Sequence, residues 1–87
     1  MRDIDLIGIA TDGKRLLAQV KLAPLSTVGW KIDRLQPYRD PKRAHVILFC
    51  NCDDTQIQDG ITIFPIQDAY NAFISTRLGR LWLRRSA

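Results

Sequence analysis

The stretch "DIDLIGIATDGKRLLAQVK", residues 3–21, decides how this chain of 87 residues is read. It holds two apolar runs on either side of "TDGK", a composition that predicts a β-hairpin. Two turn chemistries fit the same letters. If Asp12 and Gly13 form a two-residue loop, Thr11 pairs with Lys14 and Asp5 falls opposite Val20. If Thr11, Asp12 and Gly13 form a three-residue loop with Gly13 left-handed, Ala10 pairs with Lys14 and Asp5 falls opposite Gln19. Side chains alternate across a strand, so a slip of one residue exchanges its two faces. The three-residue loop collects Ile4, Leu6, Leu16, Ala18 and Val20 on one apolar face. It gathers Asp3, Asp5, Gln19 and Lys21 on the other, above Ile7 and Leu17. The shorter loop would mix the acidic residues into the core, so the longer one is expected.

Downstream of the hairpin, Leu25, Val28, Ile32 and Leu35 recur at the spacing of one helical face over Leu25 to Tyr38, with Ser26 or Thr27 placed as a cap and Pro37 as the stop. Residues 44–50, "AHVILFC", form a continuous apolar run, which predicts a central strand covered on both faces. "NCDDTQIQDG" reads as a polar connection whose carboxylates lack the spacing of a calcium loop. Residues 61–66, "ITIFPI", read as a strand at or near an edge, because Pro65 cannot donate to a ladder. A last helix is expected from Asp68, with Ala69, Tyr70, Phe73, Ile74, Leu78, Leu81 and Trp82 inward and Gly79 weakening its end. The fold class is therefore α/β (α+β): a small mixed four-stranded sheet with two helices.

Composition narrows the class further. With 46% apolar and 25% charged residues the chain can fold as a single domain over residues 1–87. No apolar run approaches the ~20 residues that span a bilayer, and "MRDID" lacks the character of a secretion signal, so a cytoplasmic protein without membrane association is expected. Cys50 and Cys52 are too close in sequence for an easy disulfide, no second pair follows, and His45 stands alone, so both read as structural thiols. The net charge of +4 favours a polyanionic partner. Arg77, Arg80, Arg84 and Arg85 in "RLGRLWLRR" suit either a phosphate-facing ridge or the solvated end of a helix, where cations complement the dipole. Trp30 lies off its helix's apolar face, placed to stack on a base or to cover a sheet edge, whereas Trp82 reads as core.

"DIDLIGIATDGKRLLAQVK" resembles the nuclease signature of the PD-(D/E)xK superfamily, in the variant of the Mrr-type restriction endonucleases that writes its last element Q-x-K. The resemblance implies a restriction-endonuclease-like core and Mg²⁺-dependent (or Mn²⁺-dependent) hydrolysis of DNA phosphodiester bonds. On this sequence it implies Asp5, Gln19 and Lys21 as catalytic residues. Asp5, the Gln19 side-chain carbonyl and the Val20 backbone carbonyl would hold the cation, with Asp3 as auxiliary, because hard cations take oxygen ligands. Lys21 would orient the attacking water and stabilise charge on the phosphoryl oxygens. Lys14, Arg15, Lys31, Arg34, Arg77, Arg80, Arg84 and Arg85 would contact DNA phosphates.

The chain departs from that family in starting at the aspartate strand, without the preceding helix and strand, and in leaving no room for a helix within "DDTQIQDG". These departures imply a reduced domain or a fragment, a homodimer or partner chain that supplies the missing elements, or a degenerate site. A catalytically inactive relative serving as a DNA-binding or protein-interaction module is the alternative function. A small assembly subunit completing its sheet with a partner is the third.

Overall fold

The computed structural model describes residues 3–67 and 80–83. Its strands are β1 (Leu6–Ile9), β2 (Arg15–Pro24), β3 (Ala44–Asn51), β4 (Gln56–Gln58), β5 (Ile61–Pro65) and β6 (Arg80–Leu83). They form one mixed sheet in the order β4-β5-β3-β2-β1-β6. β2, β3 and β5 run parallel to one another, while β1 pairs antiparallel with β2 and β6, and β4 antiparallel with β5. The mixed α+β class holds, but the strand count rises from the expected four. Five strands lie between Leu6 and Pro65, and β6 is the sixth among the described residues.

The additional strands have local causes. Gln56–Gln58 pairs with Ile61–Ile63 around Asp59 (φ 50°) and Gly60 (φ 78°). Two successive positive φ values make the two-residue hairpin turn whose twist matches its strands. Arg80–Leu83 forms a strand beside β1, with Leu6 opposite Leu83 and Ile9 opposite Arg80, so the expected helix does not run through Leu81 and Trp82. Gly79 is a poor helix residue, and the four that follow suit a strand that covers the otherwise open backbone of β1. The helix expected to begin at Asp68 falls outside the described residues.

The expected helix over Leu25 to Tyr38 is divided into α1 (Leu25–Val28), α2 (Lys31–Leu35) and a 3₁₀ turn over Gln36–Tyr38. Gly29 donates to the Leu25 carbonyl at 2.8 Å, but Ile32 reaches back only three residues to the Gly29 carbonyl, at 3.1 Å, which tightens the backbone between the two pieces. Pro37 sits inside the 3₁₀ turn. Neither Ser26 nor Thr27 caps the first piece: Pro24 takes the N-cap position and offers no side-chain hydrogen bond.

Each face of the sheet has its own core. Val28, Ile32 and Leu35 from the helical segments pack on Leu17, Val46, Leu48, Cys50, Ile61 and Ile63. The opposite face buries Leu16, Ala18, Ile47 and Phe49, with Leu6, Val20 and Phe64 against them. Central β3, buried from Val46 to Cys50, is therefore covered on both faces as its apolar run predicts. Ile4 is the exception to the predicted faces, since it joins the helix-side core instead of the face of Leu6. It precedes β1, so strand alternation does not govern it. Cys50 and Cys52 are free thiols, one buried at the end of β3 and one just past it. No helix among the described residues is long and apolar enough to cross a membrane.

Candidate functional site

The hairpin adopts the longer loop. Ala10 donates to the Lys14 carbonyl at 2.7 Å, Gly13 donates to the Ala10 carbonyl at 3.0 Å, and Gly13 has φ 85°. Asp12 steadies the turn by accepting the Lys14 N–H on Oδ1 at 2.9 Å. The ladder then pairs Ile9 with Arg15, Gly8 with Leu16, Ile7 with Leu17 and Leu6 with Ala18. The ladder ends at that last pair, so the expected Asp5–Gln19 pairing is not among its partners.

At Asp5 the ladder gives way to a side-chain contact. The Asp5 N–H donates to the Ala18 carbonyl at 2.8 Å, although the Cα partner of Ala18 is Leu6. Two residues thus share one partner, the count of a β-bulge. The Asp5 carboxylate then accepts the Val20 N–H on Oδ2 at 2.9 Å, where a ladder carbonyl would otherwise stand. Asp5 is exposed and directed along the edge of β2, with Oδ1 as its second donor oxygen. The Val20 carbonyl lies on the same side of β2, because N–H and C=O of one residue face the same neighbour in an antiparallel ladder.

Gln19 is 3% exposed, and its Oε1 is buried without a hydrogen-bond partner. An unsatisfied buried carbonyl costs ~1–3 kcal/mol, so its presence calls for an explanation. Lys21, one step further along the same face, is half-buried. Asp3 pairs with Lys31 Nζ at 3.8 Å, with side-chain exposures of 16% and 12%. Lys31 also lies over the Trp30 ring, 4.4 Å from its centroid, and Arg34 approaches the same ring at 5.7 Å.

The donor chemistry suits a hard cation: the orphaned Gln19 Oε1, the Asp5 carboxylate and the Val20 carbonyl are all oxygens, and none of them requires a soft metal. No group of three or more His, Cys, Asp or Glu side chains placed to hold a metal occurs among the described residues. The set therefore carries a single carboxylate beside neutral oxygens, and Asp3, the expected auxiliary, is engaged with Lys31.

The basic residues expected to contact phosphate divide between the two ends of β2. Lys31 and Arg34 stand with Trp30 near the Asp3 end. Lys14 and Arg15 lie at the loop end, where Lys14 Nζ donates to the Pro41 carbonyl at 2.7 Å and Arg15 is exposed. Arg80 begins β6, while Arg77, Arg84 and Arg85 fall outside the described residues.

A second polar group at the loop end is not evident from the sequence. His45 Nε2 meets Asp12 Oδ2 at 2.8 Å across 33 positions of sequence. The Lys14 N–H and the His45 ring hold the Asp12 carboxyl below the usual carboxylate range. Only the parallel register, with Leu16 beside His45, brings these residues together. Comparison with family models, with curated proteins and with solved structures finds no match to this chain.

Proposed function

We propose that this domain is a divalent-metal-dependent endonuclease of the PD-(D/E)xK kind, with Asp5, Gln19 and Lys21 as its site and DNA as its substrate. The contact of the Asp5 carboxylate with the Val20 N–H carries the reading, since Val20 lies between Gln19 and Lys21 on β2. The order of hairpin, helical segment and parallel strand supports a restriction-endonuclease-like core. Asp5, Gln19 Oε1 and the Val20 carbonyl would hold Mg²⁺ or Mn²⁺. When bound, the cation supplies an acidified water and neutralises charge at the phosphate. Asp5 is held in place by the Val20 N–H, so its carboxylate is oriented before substrate arrives. Lys21 orients the attacking water and stabilises negative charge on the phosphoryl oxygens, and Lys31 and Arg34 receive the flanking phosphates.

A second reading, a non-cleaving relative that binds DNA, is favoured by one observation: Gln19 is 3% exposed while Asp3 is committed to Lys31, which leaves Asp5 as the single carboxylate on offer. Supercoiled plasmid incubated with Mg²⁺ or Mn²⁺ separates the two. Cleavage that is lost in Lys21→Ala and retained in Lys42→Ala supports the nuclease. DNA binding with a steep salt dependence and no cleavage supports the relative. Absence of both activities refutes both readings.

A further inference from the structure

We propose that the cavity at the N-terminal ends of β3 and β5 is a binding site for a phosphomonoester group, independent of the Asp5 end of the hairpin. The cavity measures about 210 Å³, and its polar lining is Arg39, Asp40, His45 and Thr62. Arg39, His45 and Thr62 are the three that suit an anion. Arg39 and Thr62 bring a guanidinium fork and a hydroxyl able to donate to a tetrahedral oxyanion, and His45 brings a ring nitrogen able to accept from a P–OH. Lys21 and Lys31 play no part in it.

Two sets of contacts from separate elements hold Arg39 and His45. The Arg39 guanidinium donates through Nη1 to Gln36 Oε1 at 3.1 Å, while Gln36 Nε2 donates to the Asp59 carbonyl at 2.9 Å and to the Ile32 carbonyl at 3.3 Å. The guanidinium lies over Gly60, where any Cβ would overlap it, so the hairpin turn that needs positive φ also makes room for the arginine. On the other wall, Asp12 fixes His45. A carboxylate only accepts, so His45 Nε2 carries the hydrogen of their 2.8 Å bond and Nδ1 of the neutral ring remains to accept the hydrogen of a singly protonated phosphate. Arg39 and His45 are thus oriented by partners outside the cavity, an arrangement that prepares a site without filling it.

Charge and shape select the ligand. Lys14, Arg15, Arg39, Lys42 and Arg43 gather at this end of the sheet, against Asp12, Asp40 and Asp59. Asp12 is turned to His45, and Asp40, the carboxylate on the cavity lining, accepts the Lys42 N–H on Oδ1 at 3.2 Å; five cations still outweigh the three carboxylates. The field at the mouth is therefore positive. At ~30 Å³ per water molecule the space holds roughly seven waters, more than a bare phosphate fills. Pro41, Ala44 and Val46 supply an apolar wall for the group that the phosphate esterifies. That group belongs either to a small metabolite or to the end of a nucleic acid strand.

Titration of the isotope-labelled full chain with inorganic phosphate, against sodium chloride at equal ionic strength, tests the assignment by amide NMR shifts. Saturable shifts are expected at His45, Gly60 and Thr62, with binding weakened about tenfold in Arg39→Gln, severalfold in the near-isosteric Thr62→Val, and unchanged in Lys21→Ala. Competition by a 5′-phosphorylated oligonucleotide but not by its 5′-hydroxyl counterpart assigns the site to strand ends; competition by neither assigns it to small phosphomonoesters. Shifts that follow ionic strength alone, shifts centred on Lys21 and Lys31, or equal competition by both oligonucleotides overturn the proposal.

Discussion

Replacing Gln19 by methionine should stabilise the fold. The two side chains are similar in length and flexibility, so the substitution preserves volume in a position that is 3% exposed between Leu17 and Lys21 on the helix-covered face. Gln19 Oε1 has no hydrogen-bond partner, and a buried unsatisfied carbonyl costs ~1–3 kcal/mol. Removing that penalty and burying a thioether in its place should raise unfolding free energy by ~1–2 kcal/mol. For a domain of this size each kcal/mol moves Tm by ~4–8 °C. Urea titration followed by circular dichroism should show a higher midpoint with the same slope. In the proposed nuclease the same change removes an oxygen donor, so cleavage should fall while stability rises, the trade that sites held in strained or unsatisfied form produce. A loss of 1 kcal/mol or more in Gln19→Met would refute the reasoning, since it would mean that the amide makes a contact outweighing its desolvation.

Gly13→Ala and Gly60→Ala both place a side chain at positive φ, but a Cβ at Gly13 meets nothing within 4 Å whereas one at Gly60 overlaps the Arg39 guanidinium. Gly13→Ala should therefore cost ~1–2 kcal/mol from the backbone alone, and calorimetry should find Gly60→Ala the costlier of the two. Burial, and then the neighbouring Cys52, push the Cys50 thiol up to about 11, so iodoacetamide at pH 8 should label Cys52 well before Cys50. Because the folded state holds that proton more tightly, stability should decline as pH rises from about 9 to about 11, and Cys50→Ala should lack this decline. The Asp12 carboxyl lies below the usual range, chiefly through the Lys14 N–H and then His45, so its contribution is present above the unfolded pKa of ~4 and is lost as pH falls. Urea midpoints at pH 5 and pH 3 should accordingly differ less in Asp12→Asn than in the parent chain.

The first hairpin was legible because two independent constraints agreed. Gly13 could supply the left-handed residue, and only the three-residue loop kept Leu6, Leu16, Ala18 and Val20 together. Central β3 was legible from seven unbroken apolar or near-apolar positions, since burial on both faces removes alternation. The second Asp-Gly pair was missed for want of that support. β4 carries Ile57 between two glutamines, and Ile57 is 71% exposed, so no apolar face marked the strand. β6 was concealed by residues that fit a helical spacing equally well; pairing with β1 decides its conformation, and pairing is a long-range fact. In the site, residue identities were readable but their commitments were not. That Asp5 would bond the Val20 N–H, or Asp12 the His45 ring, follows from how the strands end and align.

The two polar groups owe their positions to opposite ends of β2. Its ladder with β1 closes at Ala18, and its register with β3 is regular only as far as Val20, with an irregularity before Pro24. Past Ala18 the strand has left β1 while Gln19 and Val20 still pair with β3, so the β1-facing backbone of Val20 is open to Asp5 while Leu17 and Ala18 stay locked in the core. At the other end Arg15 aligns with Ala44, and the loop carboxylate of Asp12 reaches His45. From Arg15 to Lys21 the strand rises ~20 Å at ~3.3 Å per residue. Sites that far apart without shared partners should perturb stability independently. The double variant Lys21→Ala, Arg39→Gln should thus show the sum of the single effects within ~0.5 kcal/mol. A coupling above 1 kcal/mol would mean that β2 transmits strain along its length, and the two ends would then have to be treated as one site.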